Sequence, residues 1–167
     1  MNAPPTPSWN PPGPMGGLLL TEFIGKTLHL VLGNTLGSVL DGRREIQRHY
    51  ELRLYDPGVV NRLDVIFEEL ISNIIRHGFS PGSNQSISVL VADRPGLIEL
   101  TLEDDGTPFN PLAASEPEPL RDLETAPIGG LGISLVRKLA ADVRYERPGA
   151  GNGGFAPANR IIVTIAT

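Results

Sequence analysis

The chain has 167 residues, 40% of them apolar, and a net charge of -5. That is enough for one domain with a single core, and the acidic balance argues against a non-specific nucleic-acid binder, whose surface is basic. The absence of cysteine excludes disulfides, thiolate metal sites and cysteine nucleophiles.

Residues 1–17 hold six prolines and little to bury, which reads as a disordered tail. It has neither the basic start nor the long apolar centre of a secretory signal. No apolar run approaches the roughly 20 residues of a membrane span, so the expectation is a cytoplasmic protein. His29, His49 and His77 show no metal-binding spacing.

In KTLHLVLGN, Leu28, Leu30 and Leu32 alternate as in a half-buried strand. Leu36, Val39, Leu40, Ile46 and Tyr50 then recur at helical spacing, with Asn34 as the expected cap. The turn chemistry of YDPG stops that helix. A second helix is expected from about Val59 to His77, ended by Gly78. QSISVLVAD and GLIELTLED, joined by RPG, read as an antiparallel hairpin.

From Gly106 to Gly129 the chain is rich in Pro, Glu and Ala and has no apolar period. Loops longer than about 15 residues inside a compact domain are usually functional lids. Helical spacing resumes through Ile133, Val136 and Leu139. VRYER and NRIIVTIAT are the last two strands, separated by PGAGNGGFAPA. The order is β-α-α-β-β-lid-α-β-β. With about three helices on one face of a mixed, mostly antiparallel sheet, it defines an α+β two-layer sandwich. A single domain over 18–167 is expected, its lid at about 110–128.

Three clusters carry chemistry. FEELISNIIRHGF places Glu69, Asn73 and His77 at steps of four, and residues four apart stack on a helix surface. On a wheel of about 100° per residue, Leu63, Ile66, Phe67, Leu70, Ile71 and Ile74 form the buried face. Glu69 falls on the polar side, while Asn73 and His77 reach the edge, where a side chain can line a pocket. The Asn73 oxygen is a hard neutral ligand suited to Mg2+, and Glu69 can accept a proton from an attacking hydroxyl or water. Alone, the pair is also what a solvated helix surface looks like, and His77 reads as a hydrogen-bonded helix residue.

The second cluster is LEDDGTPFNP. The Asp104 carboxylate can accept a hydrogen bond from an exocyclic amine, and Gly106 lets the chain pass close to a flat base. An acidic turn ending a hairpin strand is the plainer reading. In the third, IGGLGISLV, Gly129, Gly130 and Gly132 open a helix. Its free N–H groups and positive dipole end suit phosphate, though a lid hinge would look the same. The strand and βαβ unit of the dinucleotide fingerprint are missing, and so is the Lys-Ser/Thr of a Walker loop.

Together, EELISNIIRHG, DDGTPFNP and GGLGISLV resemble the N, G1 and G2 boxes of the GHKL ATPase superfamily, to which histidine kinases belong. The forms E-x-x-x-N-x-x-x-H-G and D-x-G-x-P-F-x-P are most similar to the small anti-sigma-factor serine/threonine kinases of bacterial partner-switching systems. The resemblance implies a Bergerat-type sandwich that binds ATP or ADP with Mg2+ beneath a mobile lid. Carried over, Asn73 ligates Mg2+, Glu69 is the general base, Asp104 holds the adenine amine and Gly106 lets the base sit close. Gly130, Leu131 and Gly132 form the phosphate-binding stretch. Thr164, in the last strand, matches a hydroxyl that reaches adenine through water in relatives, though a β-former there is the simpler reading. The implied acceptor is a hydroxyl of a STAS-domain anti-sigma antagonist, with a sigma factor as alternate partner and a homodimer as the assembly.

One departure stands out. The family's lid often carries a basic residue just before the glycines, whereas here Arg121 is the nearest, and Arg137 and Lys138 lie in the following helix. A nucleotide-gated binder that transfers no phosphate is therefore the alternative to a kinase.

Overall fold

The structure is a computed structural model. It describes residues 17–24, 26–53, 55–80, 83, 85–108, 110–113, 131–147 and 159–167. The expected tail, most of the expected lid and the glycine-rich 148–158 stretch lie outside the described residues.

Strand β1 (Leu18–Ile24) pairs with β2 (Thr27–Gly33), and helices α1 (Leu36–Glu51) and α2 (Pro57–Asn73) follow. Next come β3 (Ser86–Arg94), β4 (Leu97–Asp104), helix α3 (Leu131–Leu139), β5 (Asp142–Glu146) and β6 (Asn159–Ala166). The six strands form one sheet in the spatial order β1-β2-β3-β4-β6-β5. Every pairing among the described strands is antiparallel, so the sheet has no parallel part.

Alternation decides the layers. Ile87, Val89 and Val91 of β3, Ile98, Leu100 and Leu102 of β4, and Ile161, Val163 and Ile165 of β6 are buried, while their alternate neighbours, Ala92 apart, are less so. Successive strand residues point to opposite faces. The buried set packs against Ile46 and Tyr50 of α1, Leu63, Ile66, Phe67, Leu70 and Ile71 of α2, and Val136 of α3 in one cluster. The core therefore lies between one sheet face and the helices.

The helix caps differ from the sequence reading. Thr35, in extended backbone, precedes α1; the expected cap, Asn34, instead donates to the Ser83 carbonyl at 2.8 Å and its hydroxyl at 3.1 Å. Helix α2 starts earlier than expected. Asp56 accepts hydrogen bonds from the N–H groups of Gly58 and Val59, and Pro57 fills the first turn, where a missing N–H does no harm. The far end of α2 also differs: α-helical geometry stops at Asn73, and Ile74–Gly78 form one π turn.

Strand β1 has no counterpart in the sequence reading. Its described side chains are at best half-buried, as befits an edge strand, so LLLTEFI shows no clean alternation. Phe23, 59% exposed, stacks on the His49 ring at a centroid distance of 5.4 Å.

Candidate functional site

The buried row of β4 runs Ile98, Leu100, Leu102 and then Asp104; that of β6 runs Ile165, Val163, Ile161 and then Asn159. Asp104 and Asn159 face each other in the strand register. The helix-facing side of the sheet thus turns polar at one end. Asp104 is 5% exposed and Asn159 2%.

Such burial demands partners. Asp104 Oδ1 accepts from the Gly106 N–H at 2.9 Å and from Asn159 Nδ2 at 2.8 Å. Among the described residues, Oδ2 receives no hydrogen bond. Burial pushes the Asp104 carboxyl above the usual carboxylate range; the bonds from Asn159 and Gly106 oppose that, Asp105 adds to it and Arg147 opposes it. Asn159 Nδ2 also donates to the Thr107 carbonyl at 2.9 Å. Its Oδ1 accepts from the Tyr145 hydroxyl at 2.8 Å and from Arg147 Nη1 at 2.5 Å.

The loop after β4 locks onto the π turn. The Gly78 carbonyl accepts from the Thr107 N–H at 2.8 Å and the Thr107 hydroxyl at 3.2 Å. Gly106 packs so closely on that carbonyl that any Cβ would strike it. Helix α2 then leads from this corner, through Asn73, back to Glu69. There the Glu69 carboxylate rests against Gly132, in the first turn of α3, where a Cβ would meet Glu69 Oε2. Among the described residues, neither Glu69 nor Asn73 makes a side-chain hydrogen bond.

The structure thus gathers Asp104 and Gly106 at the end of the π turn and Glu69 with Gly132 one helix segment away, with Asn73 between them on the same helix. Gly129 and Gly130 lie outside the described residues, and Leu131 is described only as the first residue of α3. His77, in the π turn, is exposed. Thr164 has the strand parity opposite to Asn159 and so lies on the far side of the sheet. Arg137 donates to the Leu112 carbonyl at 2.5 Å, tying α3 to the short 3-10 turn Pro111–Ala113.

Sequence reasoning missed Asn159, Tyr145 and Arg147. Asn159 left a signal: it is the polar member of an alternation that is otherwise Ile161, Val163 and Ile165. Its partners left none, because only strand pairing brings them there.

Among the described residues, six antiparallel strands under three helices, with a polar corner where the ends of β4 and β6 meet the π turn after α2, define a two-layer α+β sandwich. The chain belongs to the histidine kinase-like ATPase domain family, whose model matches residues 34–154, more than half of it. It is 29% identical over 85 residues to a protein named serine/threonine-protein kinase BtrW from Bordetella bronchiseptica. That match covers 51% of this chain and 60% of the relative's length. Among solved structures, the RsbU and RsbW domains of Rv1364c from Mycobacterium tuberculosis superpose with a TM-score of 0.54 at 13% identity. The superposition covers 84% of this chain and 32% of that one, a likeness of fold. Among the described residues, no helix is long and apolar enough to cross a membrane.

Proposed function

We propose that the protein is an ATP-dependent serine/threonine-protein kinase that also binds a partner according to the nucleotide it holds. The observation that carries this reading is the buried Asp104 carboxylate. One of its oxygens is bonded within the fold, the other receives no hydrogen bond among the described residues, and Gly106 stands beside it with no room for a side chain. A purine amine is the donor such a site takes. From there α2 runs to Asn73 and Glu69, and Gly132 opens α3 against Glu69.

The donor set fits a magnesium nucleotide. Among the described residues there is no group of three or more acidic, His or Cys side chains to cage a metal. Mg2+ instead commonly takes one or two protein oxygens, phosphate oxygens and water. Asn73 supplies a neutral oxygen, and the metal, when bound, neutralises charge on the phosphates. Glu69 takes the proton of the acceptor hydroxyl; the freed oxygen attacks the γ-phosphorus, and the bond to the bridging oxygen breaks to release ADP. The resemblance assigns phosphate binding to Gly130, Leu131 and Gly132; of these, Leu131 and Gly132 open α3, whose positive end suits phosphate. The resemblance supplies the acceptor, a hydroxyl on a STAS-domain antagonist, together with a sigma factor as alternate partner, a homodimer and a cytoplasmic setting.

A second reading, a nucleotide-gated binder without phosphoryl transfer, is favoured by one observation. Arg137, a cation of α3, is committed to the Leu112 carbonyl. Calorimetric titration with ADP and a non-hydrolysable ATP analogue, with and without Mg2+, tests both. Binding is expected in the parent, is abolished in Asp104→Asn and loses its magnesium dependence in Asn73→Ala. A parent that binds neither nucleotide sinks both readings. Labelled phosphate reaching a STAS-domain serine or threonine, and lost in Glu69→Gln, separates the kinase from the binder.

A further inference from the structure

The Asn159 amide uses every hydrogen-bonding position it has. Its two N–H donors go to Asp104 Oδ1 and the Thr107 carbonyl, and its oxygen accepts from Tyr145 and Arg147. A primary amide has two donors and two acceptor positions. Flipping it would set its NH2 against the Arg147 guanidinium and its oxygen against the Asp104 carboxylate, so its orientation is fixed. The positive charge of Arg147 on the amide oxygen also polarises the group and strengthens the N–H aimed at Asp104.

For the carboxylate, this means that Oδ1 is filled from two sides, by Gly106 and Asn159, and that Oδ2, which receives no hydrogen bond among the described residues, is the oxygen available to a ligand. Adenine needs one acceptor for one amine hydrogen. Guanine offers two parallel donors, N1–H and N2–H, which match both oxygens of a carboxylate, and its O6 is an acceptor that a carboxylate oxygen repels.

We propose that Asn159, held by Tyr145 and Arg147, is the specificity-determining residue of the base pocket: it restricts Asp104 to one-oxygen recognition and so selects adenine over guanine. This rests on the nucleotide reading above. Asn159 acts through Asp104 and is a positioning residue. Losing it leaves Oδ1 with the Gly106 N–H alone, vacates one acceptor position there, lets the carboxylate turn, and opens the two-oxygen mode to guanine.

The experiment is calorimetric titration of the full chain with ADP and with GDP, for the parent, Asn159→Ala and Tyr145→Phe. The parent is expected to prefer ADP by at least about 100-fold, the discrimination usual where a mismatched base leaves a buried polar group unpaired. In Asn159→Ala the preference falls about tenfold or more, chiefly through tighter GDP binding. Tyr145→Phe, which keeps the fold's apolar contacts, moves the ratio the same way by less. It is also the variant to read if Asn159→Ala fails to fold. A second readout is the acid limb of ADP binding. Without the Asn159 donor the charged form of Asp104 is less favoured, so binding is lost at a higher pH than in the parent. Purely structural damage weakens ADP and GDP alike and moves neither the ratio nor the limb. An unchanged ratio in a folded variant overturns the role of Asn159 while leaving the nucleotide site intact. A parent that binds no nucleotide overturns both.

Discussion

Gly106 and Gly132 both lack a side chain because something else fills the space, but the fillings differ in how far they yield. At Gly106 the obstacle is the Gly78 backbone carbonyl, already fixed by two hydrogen bonds from Thr107. At Gly132 it is the free end of the Glu69 side chain, which can turn away. Gly106→Ala is therefore expected to lower stability by about 1–3 kcal/mol, as overpacking against a rigid neighbour does. Gly132→Ala changes it by about 0.5 kcal/mol or less, the range of a substitution without rigid conflict, but displaces Glu69. Urea melts of both variants check the first difference. Nucleotide binding and phosphate transfer by Gly132→Ala check the second, with transfer expected to fall further than binding. The D-x-G spacing made Gly106 legible as a close-approach position, but the carbonyl it approaches lies 28 residues back, and no local pattern names it.

Among the elements, α2 does most to position the site. Asp56 caps its start, and its middle is tied to α1 where Arg43 meets the buried Asp64, Nε to Oδ1 at 2.8 Å and Nη2 to Oδ2 at 2.6 Å. Gly42 lies nearby, so close to Phe67 that a Cβ would stand 2.5 Å from its ring. Asp64 is 4% exposed, so losing Arg43 leaves a buried carboxylate with only the Gln47 amide among the described residues, donating to Oδ2 at 3.3 Å. Arg43 is itself part-exposed, and solvent screens some of that loss. Arg43→Ala is expected to cost about 2 kcal/mol, read as a lower urea midpoint with unchanged slope. The helix and its Glu69–Asn73 pair were legible because the apolar period and the four-residue step are local. The π turn was not, since the partner of the Gly78 carbonyl comes from the loop after β4. Likewise Asn34 carries a cap residue's chemistry, yet it bonds Ser83, 49 residues away.

For the molecule as a whole, His49 and Asp104 are buried groups whose titration moves stability with pH in opposite directions. Burial first and Arg53 second hold the His49 pKa below its ordinary 6.5, against Asp93. Below pH 6.5 the unfolded chain takes up this proton while the fold resists it. The His49 contribution is thus complete above 6.5 and is lost as pH falls toward the folded value. Asp104 works the other way: its raised pKa leaves stability complete below 3.8, and some is lost as pH rises through the folded value. Thermal melts from pH 7.5 down to 5.5 are expected to show the midpoint falling. His49→Gln flattens that slope because it removes the group that takes up the proton, and a slope unchanged in the variant would assign it to another residue.

What the sequence by itself determined is what short-range periodicity and residue chemistry can encode: the three helices, five of the six strands, the two-layer class, and the residue types of three boxes in chain order. Those follow because burying one face of a helix or strand writes a period of 3.6 or 2 into neighbouring positions. The tertiary structure alone decided the edge strand β1, whose exposure erased its period, and the partners and register of the strands beyond the expected antiparallel β3–β4 hairpin. It also decided the Asp104–Asn159–Tyr145–Arg147 network. These four side chains sit on three different segments, and the hydrogen bonds that make them one unit exist only once β4, β5 and β6 have paired. A buried polar group must find its partners in space, and the chain carries no local record of who they are.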